Sequence, residues 1–492
     1  MGKKLYITTA IPYVNAKPHI GNALDYLIAD IWARYQRQNG NEVRFQTGTD
    51  EHGNKIAIKA EEAKQTPQAY VDSMYGNFKA LIDLLNIEAT DFIRTSDPNH
   101  MKRVQMIWEK LKPYIYKGKY EGWYCTGCEA FVTDKEAGEN NGICPDHNKP
   151  YERLSEENYY FKMSAFSDKI REQLETEKFQ IYPEFRKKEF INLLDSGLQD
   201  VSVSRPKKHL SWGVPVPGDE SQVIYVWVDA LPNYITVLGY PDTELWKDFW
   251  PADVQVIGKD ILRFHAAIWP AILLALGLSL PKKLLVHGFI DSGGVKMSKS
   301  VGNVVEPEEI VKEYGVDAFR YFFSRHIPTL DDGDFTWEKF ENAYNNELGN
   351  ELGNLVQRVA SMINRYQDGV IGDVPQPEHD TQIYHEHMNA LHFNKAFDEV
   401  WITVRSLNGY IERVKPWEVA AKRGKDADAE DHLSEILAYA AGNLLQIADL
   451  ITPFLPHTAQ TIKDTFETGV VKPPSGVLFP KIHNHTEAPA RK

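Results

Sequence analysis

The alternation of apolar and polar positions predicts an α/β fold in the first part of the chain. Residues 5–10 form a short apolar, β-branched run that is typical of a buried strand. Apolar residues then recur at helical spacing over 24–35, and the Asn-Gly pair at 39–40 ends that pattern. Residues 42–47 read as the next strand. Strand, helix and strand joined by short connections are typical of a βαβ unit in a parallel sheet.

Strand-like segments return much later in the chain, and a helical pattern follows them. We therefore predict a Rossmann-like parallel sheet that is split by an insertion at roughly residues 115–220. The later strands are predicted at residues 223–228, 254–257 and 284–290. Beyond about residue 340, apolar residues recur at helical spacing over 345–366, 384–411 and 433–451.

These patterns divide the chain into six predicted segments. They are the two halves of the sheet domain (1–115 and 221–290), the insertion between them (116–220), a connecting region (291–344), an α-helical bundle domain (345–470) and a tail (471–492). We predict a monomer, because the tail leaves little room for an appended RNA-binding or dimerisation domain.

Composition narrows the class of protein. The 492 residues carry 55 basic and 69 acidic side chains, a net charge of −14, so any RNA contact must use local basic patches. The longest apolar run, around 268–280, contains Pro270 and is too short to span a bilayer. The N-terminus lacks the apolar stretch of a secretory signal, so we predict a cytoplasmic protein without a membrane partner.

All three cysteines lie in the insertion and form a pattern with one histidine. An odd number of clustered cysteines argues against a disulfide framework. Two pairs with knuckle spacing, each in a turn, supply three thiolates and one imidazole: Cys125, Cys128, Cys144 and His147. This set closes a tetrahedral shell, so it predicts one structural Zn²⁺ per chain.

Two short motifs almost three hundred residues apart predict a polyphosphate site. Pro-His-Ile-Gly-Asn at 18–22 opens a helix after a strand, where N–H groups and the helix dipole attract phosphate. Gly21 allows close backbone approach. His19 can donate a hydrogen bond as charge develops on a phosphate oxygen. The second motif, Lys-Met-Ser-Lys-Ser at 296–300, adds cationic and hydroxyl donors after Gly293-Gly294, which we expect to give the loop mobility.

In this order, the two motifs resemble the signatures of class I aminoacyl-tRNA synthetases. That resemblance implies amino-acid activation by ATP, with Mg²⁺ accompanying the nucleotide, and catalytic roles for His19, Asn22, Lys296 and Lys299. Asn22 stands where the family has a second histidine. Asparagine still donates a hydrogen bond but cannot become cationic, so transition-state stabilisation is in question at this position. The ATP site implied by the resemblance and by the loop chemistry comprises His19, Gly21, Asn22, Gly258, Asp260, His287, Lys296, Ser298 and Lys299.

Further segments resemble the methionyl-tRNA synthetase family. They are Thr-Ala-Ile-Pro-Tyr-Val-Asn at 9–15, Thr-Gly-Thr-Asp-Glu-His-Gly at 47–53, Val-Trp-Val-Asp-Ala-Leu-Pro-Asn-Tyr at 226–234 and Gly-Lys-Asp-Ile at 258–261. A carboxylate at the end of a strand suits an ammonium group, and aromatic side chains suit a thioether. The resemblance implies a methionine pocket made of Ile11, Tyr13, Asp50, Trp227, Ala230, Leu231, Tyr234, Ile261 and His265, with Leu231 where the family has proline.

The helical domain carries the residues expected to contact RNA. Asn354 and Arg358 are one turn apart on a predicted helix, and Trp417 follows Pro416, which stiffens the turn. An exposed tryptophan offers a stacking surface to an unpaired base. By resemblance, these four residues contact the anticodon of initiator and elongator methionine tRNA.

Two alternatives stay open on the sequence. A synthetase for another aliphatic amino acid would have a larger insertion and a pocket without Trp227 and His265. A tRNA-binding protein that has lost catalysis would show damage in either phosphate motif, and Asn22 is the one departure there.

Overall fold

The computed structural model describes residues 2–126, 130–146, 148–297, 304–371, 374, 380–426, 428–472, 474 and 476–482, without the side chains of 120–121, 130–131, 154–156 and 296. The chain forms two compact units. The first unit comprises Met1–Pro18, Asn41–Ala80 and Ala89–Val286, and the second comprises His19–Gly40, Leu81–Glu88 and His287–Lys492.

Strands concentrate in the first unit, whereas α-helices occur in both units. Within the described residues the strands are β1 Lys4–Thr9, β2 Glu42–Thr49, β3 Asp91–Arg94, β4 Ile115–Cys125, β5 Ala130–Val132, β6 Glu152–Phe161, β7 Gln180–Tyr182, β8 Val201–Ser202, β9 Ser204–Pro206, β10 Pro215–Val216, β11 Asp219–Ile224, β12 Val254–Gly258, β13 Lys283–His287, β14 Ile290–Ser292, β15 Val295–Lys296 and β16 Gly333–Phe335. The α-helices there are α1 Ile20–Gln38, α2 Asn54–Glu62, α3 Pro67–Leu84, α4 Pro98–Leu111, α5 Asp134–Glu139, α6 Ser167–Glu175, α7 Glu184–Asp195, α8 Val226–Ala230, α9 Asn233–Thr236, α10 Trp246–Phe249, α11 Trp269–Ala275, α12 Pro307–Tyr314, α13 Val316–Arg325, α14 Trp337–Asn342, α15 Asn354–Gln367, α16 Gln382–Asn389, α17 Phe393–Val414, α18 Pro416–Ala420, α19 Ala429–Ile451 and α20 Pro456–Phe466.

The predicted Rossmann-like sheet is confirmed. Its strand order is β3-β2-β1-β12-β13-β7, and β1 pairs in parallel with both β2 and β12. The pairs β2–β3 and β13–β7 are also parallel. Strand β12 is buried throughout, as a central strand covered on both faces must be. Side chains that follow β1, β2 and β12 therefore emerge along one edge of the sheet.

The insertion forms a second sheet but also extends the first. Its sheet has the order β5-β4-β6-β8, with β4 and β6 paired antiparallel from Ile115↔Phe161 to Tyr124↔Glu152. Strand β7 lies within the predicted insertion, yet it pairs with β13 at the edge of the main sheet. The sequence did not indicate this contribution, because three residues carry too little periodicity to be assigned to a sheet.

Two of the predicted strands are wrong in part. Over 223–228, β11 ends at Ile224 and joins a separate sheet with β9 and β10, whereas Val226–Ala230 is helical. A short apolar run does not distinguish a buried strand from a buried helix. Over 284–290, β13 ends at His287, and Ile290 begins β14 in another sheet.

The prediction of a helical C-terminal region is confirmed. Residues 345–366 lie in a π-helical segment, Ala343–Gly353, followed by α15. The predicted helix over 384–411 is two helices, α16 and α17, and Leu391 between them has a left-handed backbone conformation. In the part of the chain that the structure describes, no helix is long and apolar enough to cross a membrane.

Candidate functional site: an aromatic pocket and a phosphate-binding helix

The structure brings most of the predicted methionine pocket together in the first unit. One apolar cluster contains Tyr13, Trp227, Leu231, Tyr234 and Ile261. Ala230 is buried in α8 beside Leu231, and Ile11 is half-buried in the loop that carries Tyr13. The segment after β12 is less regular than predicted. A 3-10 turn, Lys259–Ile261, and a π-helix, Phe264–Ile268, precede α11.

His265 is the polar residue of this cluster, and its hydrogen bonds define its state. Its Nδ1 lies 3.1 Å from the carbonyl oxygen of Ile261, so Nδ1 carries the proton. Its Nε2 lies 2.8 Å from the Tyr234 hydroxyl and accepts a hydrogen bond from it. Burial lowers the pKa of His265 to about 4, so the ring is neutral at neutral pH. The pocket wall therefore offers a thioether a polarizable surface without charge.

Phe264 is a pocket residue that the sequence analysis missed. Its ring stacks on Trp227 with centroids 3.9 Å apart and planes 4° apart. His265 meets the same indole edge-on at 6.0 Å. Its position directly before His265 was the one feature of the sequence that could have indicated Phe264. The stack holds the Trp227 indole in one orientation.

Asp50 is connected through the backbone to the segment that carries Tyr13. Tyr13 and Asp50 form a parallel bridge, in which the Asp50 N–H donates to Pro12 O at 2.9 Å. The Thr95 hydroxyl lies 3.4 Å from Asp50 Oδ1. The carboxylate is half-buried at the end of β2, where the sequence analysis placed it.

The residues after Asp50 belong to a buried polar network that was also missed. Glu51 is fully buried and accepts hydrogen bonds from Thr49 Oγ1 at 2.6 Å and Arg94 Nε at 2.8 Å. His52 Nδ1 lies 2.6 Å from Asp229 Oδ2, and His100 Nε2 lies 3.1 Å from Asp229 Oδ1. The motifs contained His52 and Asp229, but spacing alone could not show that they meet.

The histidine motif forms the cap of α1 in the second unit. His19 Nδ1 accepts from the Gly21 N–H at 3.0 Å, and Asn22 Oδ1 accepts from the His19 N–H at 3.1 Å. This reciprocal capping box places the proton of a neutral His19 on Nε2. A Cβ at Gly21 would lie 2.8 Å from the His19 ring, so only glycine permits this arrangement. Asn22 uses its oxygen for the cap and keeps its amide N–H groups as donors.

The residues predicted to hold the nucleoside end on β12 and β13. Gly258 is buried at the end of β12, and the exposed Asp260 follows it in the 3-10 turn. In the second unit, His287 Nε2 contacts Asp25 Oδ1 of α1 and its Nδ1 lies 2.8 Å from Gly288 O. A Cβ at Gly288 would lie 2.3 Å from the backbone of Asp331, so the chain passes too closely for another residue.

The glycine pair before the lysine motif has a defined conformation. Gly293 and Gly294, both with positive φ, form the two-residue turn between β14 and β15, where Asp291 pairs with Lys296. The Gly294 N–H donates to Asp334 Oδ1 at 2.7 Å. The predicted loop mobility stays a prediction. Ser298 and Lys299, and the side chain of Lys296, lie outside the described residues.

Half of the predicted zinc site can be placed. Cys125 at the end of β4 and Cys144 in the turn after α5 are both buried in one small cluster with Ala137 and Tyr151. Cys128 and His147 lie outside the described residues. Two thiols in one buried cluster are the donor chemistry that Zn²⁺ requires, so the residues present fit the metal.

The predicted RNA-binding residues lie in the helical domain. Asn354 is exposed at the start of α15, and the half-buried Arg358 pairs with Glu412 and lies 3.3 Å from Asn408 Oδ1. Pro416 is buried at the start of α18, whereas Trp417 remains 37% exposed. The structure therefore presents Trp417 at a surface.

The chain is similar to known proteins over most of its length. A family model described as "tRNA synthetases class I (M)" matches residues 5–154 and 146–360. The methionine–tRNA ligase of Caldanaerobacter subterraneus is 45% identical over 476 residues, covering 93% of this chain and 73% of the relative. That of Streptomyces coelicolor is 42% identical, covering 94% and 89%.

A solved structure matches over nearly the whole length. The Mycobacterium tuberculosis methionyl-tRNA synthetase bound by methionyl-adenylate has a TM-score of 0.90 and 34% identity, covering 97% of this chain and 100% of that one. Its apo form has a TM-score of 0.84. These matches establish that the chain belongs to the methionine–tRNA ligase family of class I aminoacyl-tRNA synthetases.

Proposed function

We propose the roles that individual residues take in the reaction of this family. The chain activates methionine with ATP to methionyl-adenylate and transfers the methionyl group to the 3′ end of methionine tRNA. In the first step the methionine carboxylate attacks the α-phosphorus and pyrophosphate leaves. The observation that carries our assignment is the contact of His265 with both Tyr234 and Trp227, three residues predicted for one pocket from separate motifs.

Asp50 and the aromatic cluster bind methionine. The Asp50 carboxylate pairs with the ammonium group, and its backbone bridge to Tyr13 holds that charge beside the cluster. The side chain lies against Trp227 and Tyr234, with Ile11, Ala230, Leu231, Ile261 and His265 completing the lining. Because His265 is neutral and its nitrogens are used within the protein, the wall offers a charged side chain no partner to offset its loss of water.

His19 and Asn22 bind phosphate oxygens. The cap places the His19 proton on Nε2, and a neutral N–H there donates to an oxygen that gains charge in the transition state. Asn22 adds a second neutral donor from its amide. Gly21 opens the helix N-terminus to the phosphates, and Lys296, Ser298 and Lys299 add donors from the lysine motif. Mg²⁺ would accompany ATP, because phosphate oxygens are ligands that this ion prefers.

The nucleoside is held by residues that follow β12 and β13. Asp260 accepts hydrogen bonds from the ribose hydroxyls, and Gly258 allows close approach there. His287 contacts the adenine end. Its Nε2 is held by Asp25, which fixes the orientation of the ring.

The insertion binds one structural Zn²⁺ through Cys125, Cys128, Cys144 and His147. The burial of Cys125 and Cys144 in one cluster supports this assignment. When bound, the metal cross-links the β4–β5 hairpin to the turn after α5. All four positions are protein ligands, so its role is to stabilise the insertion.

The helical domain binds the anticodon of methionine tRNA, initiator and elongator. Trp417 stacks on an unpaired base, while Asn354 and Arg358 contact base edges, with Pro416 stiffening the turn. The protein works as a cytoplasmic monomer.

Amino-acid-dependent ATP–pyrophosphate exchange tests the substrate assignment. With each of the twenty amino acids in turn, methionine alone should support rapid exchange, and purified methionine tRNA should then be charged. Exchange with isoleucine or valine above that with methionine would favour the synthetase for another aliphatic amino acid. Binding of methionine tRNA without exchange with any amino acid would favour the non-catalytic alternative.

A further inference from the structure

Asp229 is a buried carboxylate held by two histidines from distant parts of the chain. Its side chain is fully buried, and its partners His52 and His100 are buried almost as completely. Asp229 Oδ2 lies 2.6 Å from His52 Nδ1, and Asp229 Oδ1 lies 3.1 Å from His100 Nε2. His100 Nε2 also lies 3.1 Å from the Asp229 carbonyl oxygen, so it binds both ends of the residue.

Both histidines donate a hydrogen bond to one carboxylate. His100 Nε2 faces oxygen acceptors of Asp229 and therefore carries a proton, while its Nδ1 lies 2.8 Å from the Thr236 hydroxyl. His52 Nδ1 donates in the same way. Its Nε2 is buried without a hydrogen-bond partner among the described residues, which suits an unprotonated nitrogen. Burial alone would raise the pKa of Asp229, but the two histidines outweigh burial and lower it.

The cluster connects the segment that carries Asp50 to the helix that carries Trp227. His52 lies two residues after Asp50, the proposed ammonium partner. Asp229 lies two residues after Trp227 on α8, so their side chains leave the helix in nearly opposite directions. The loop at His52 is further held by Trp212, whose Nε1 donates to Glu51 O at 2.6 Å and whose ring meets His52 edge-on at 5.1 Å.

We propose that His52, Asp229 and His100 are positioning residues that set the separation between Asp50 and the aromatic wall of α8, and thereby the affinity for an amino acid that must reach both. This inference rests on the proposed roles of Asp50 and Trp227. The affinity of a ligand that contacts both Asp50 and the aromatic wall depends on this separation. The affinity of a ligand that contacts only the wall does not.

A purely structural function is a poor explanation of this cluster. Burying a carboxylate carries a large desolvation cost, and apolar residues of similar volume often give equal or greater stability. The carboxylate adds directional hydrogen bonds, because its two oxygens accept them with defined geometry from two separate segments. Direction is what the relative placement of a charged partner and an aromatic wall requires.

Two ligands measured on a small set of variants test the proposal. The ligands are L-methionine and 4-(methylthio)butanoate, which lacks the ammonium group and cannot engage Asp50. The variants are Asp229→Asn, His52→Leu and His52→Asn, whose amide can replace the Nδ1–H donor. Dissociation constants are measured by calorimetry without ATP, and the KM for ATP is measured by exchange.

Loss of the cluster should weaken methionine binding and spare the analogue. In Asp229→Asn and His52→Leu, we expect methionine affinity to fall about tenfold, as for loss of a hydrogen bond to a charged group, with the analogue and the KM for ATP within about twofold. His52→Asn should restore most of the methionine affinity. If Asp229→Asn does not fold, the two His52 variants decide the question.

Two controls separate the possible failures. Asp317→Asn removes another buried carboxylate, which accepts from Thr458 N and Oγ1 at 2.6 and 2.7 Å, and should change neither affinity. Asp50→Asn should lower the ratio of methionine to analogue affinity. If Asp50→Asn leaves that ratio unchanged, the proposed role of Asp50 is wrong and the inference falls with it. If the ratio changes in Asp50→Asn but stays at the wild-type value in Asp229→Asn and His52→Leu, the inference alone is overturned.

Discussion

His265 shows how burial tunes a single side chain at the methionine pocket. Its ring is neutral because both nitrogens are used within the protein and water is excluded. A charged imidazole would require either a counter-charge or solvent. We therefore expect the neutral His265 ring to favour an uncharged substrate side chain.

Stability should fall on acidification through His265. Its pKa is about 4 in the folded chain, against about 6.5 when unfolded. Between these values the unfolded chain binds one more proton, so the contribution of His265 is complete above pH 6.5 and is lost as the pH falls towards 4. The denaturant midpoint should therefore drop less between about pH 7 and about pH 5 in His265→Gln than in wild type. An equal drop in both proteins would show that His265 does not titrate in that window.

Lys299 is expected to act on phosphate and not on methionine. A lysine ammonium group acts as a point charge, and the assignment of Lys299 rests on the resemblance of the lysine motif. Lys299→Ala should depress methionine-dependent pyrophosphate exchange by about tenfold or more while calorimetry shows nearly unchanged methionine affinity. Lys312→Ala, at an exposed position of α12, serves as a control for loss of one positive charge. Unchanged exchange in Lys299→Ala would remove the motif from the mechanism.

Among the elements, helix α1 combines a functional N-terminus with a buried ionic middle. Asp30 is fully buried and accepts from Arg34 Nε and Arg320 Nη2, each at 2.7 Å. Arg320 on α13 is also fully buried and donates to the carbonyls of Phe454 and Leu85 at 2.6 and 3.1 Å. One guanidinium thus connects α1, α13 and the turn before α20 within the second unit.

Removing this guanidinium should destabilise the second unit strongly. Arg320→Met leaves buried carbonyls without donors and a buried carboxylate with one partner fewer, so we expect a loss of roughly 3–5 kcal/mol. Arg405→Ala breaks the exposed pair with Glu351 and should cost less than about 1 kcal/mol. Thermal denaturation of both variants measures the difference. Similar small shifts of the melting temperature in the two variants would contradict the large contribution to stability assigned to Arg320.

The insertion should depend on its metal. Cys125→Ser or chelation should release about one Zn²⁺ per chain and loosen the insertion, because a closed site contributes its binding energy to folding. Metal analysis and limited proteolysis measure the two effects. Lys135→Ala, on the exposed face of α5, should retain the metal. A zinc-free protein that is equally stable and fully active would refute the assignment.

At the scale of the whole molecule, amino-acid activation and tRNA recognition use different parts of the chain. The residues proposed to bind methionine lie in the first unit, whereas the proposed anticodon residues lie on α15 and α18 of the second. Substitution in the helical domain should therefore separate the two steps of the reaction.

Trp417→Ala should weaken charging and leave activation intact. Losing one base–aromatic stack costs roughly 1–3 kcal/mol, or about tenfold to a hundredfold in charging efficiency. Methionine-dependent pyrophosphate exchange should be unchanged, and a tRNA fragment without the anticodon arm should be charged equally by both proteins. Ile402→Ala removes another exposed apolar side chain and serves as the control. Equal losses on tRNA and fragment would make Trp417 a packing residue.

Local sequence determined much of the architecture and many of the pocket residues. The βαβ order, the later strand β12 and the helical C-terminal region follow from periodicities that each segment carries by itself. Trp227, Tyr234 and His265 could be assigned to one pocket because their motifs resemble those of a known family. The structure then brought these three side chains into contact.

Tertiary structure decided what depends on distant partners. Residues 226–230 became a helix and not a strand, the Gly293-Gly294 pair became a hairpin turn, and β7 joined the main sheet. Asp229 meets His52 and His100 across 177 and 129 residues, a pairing that no local pattern records. A buried polar group must find a partner, but folding of the whole chain determines which partner is within reach.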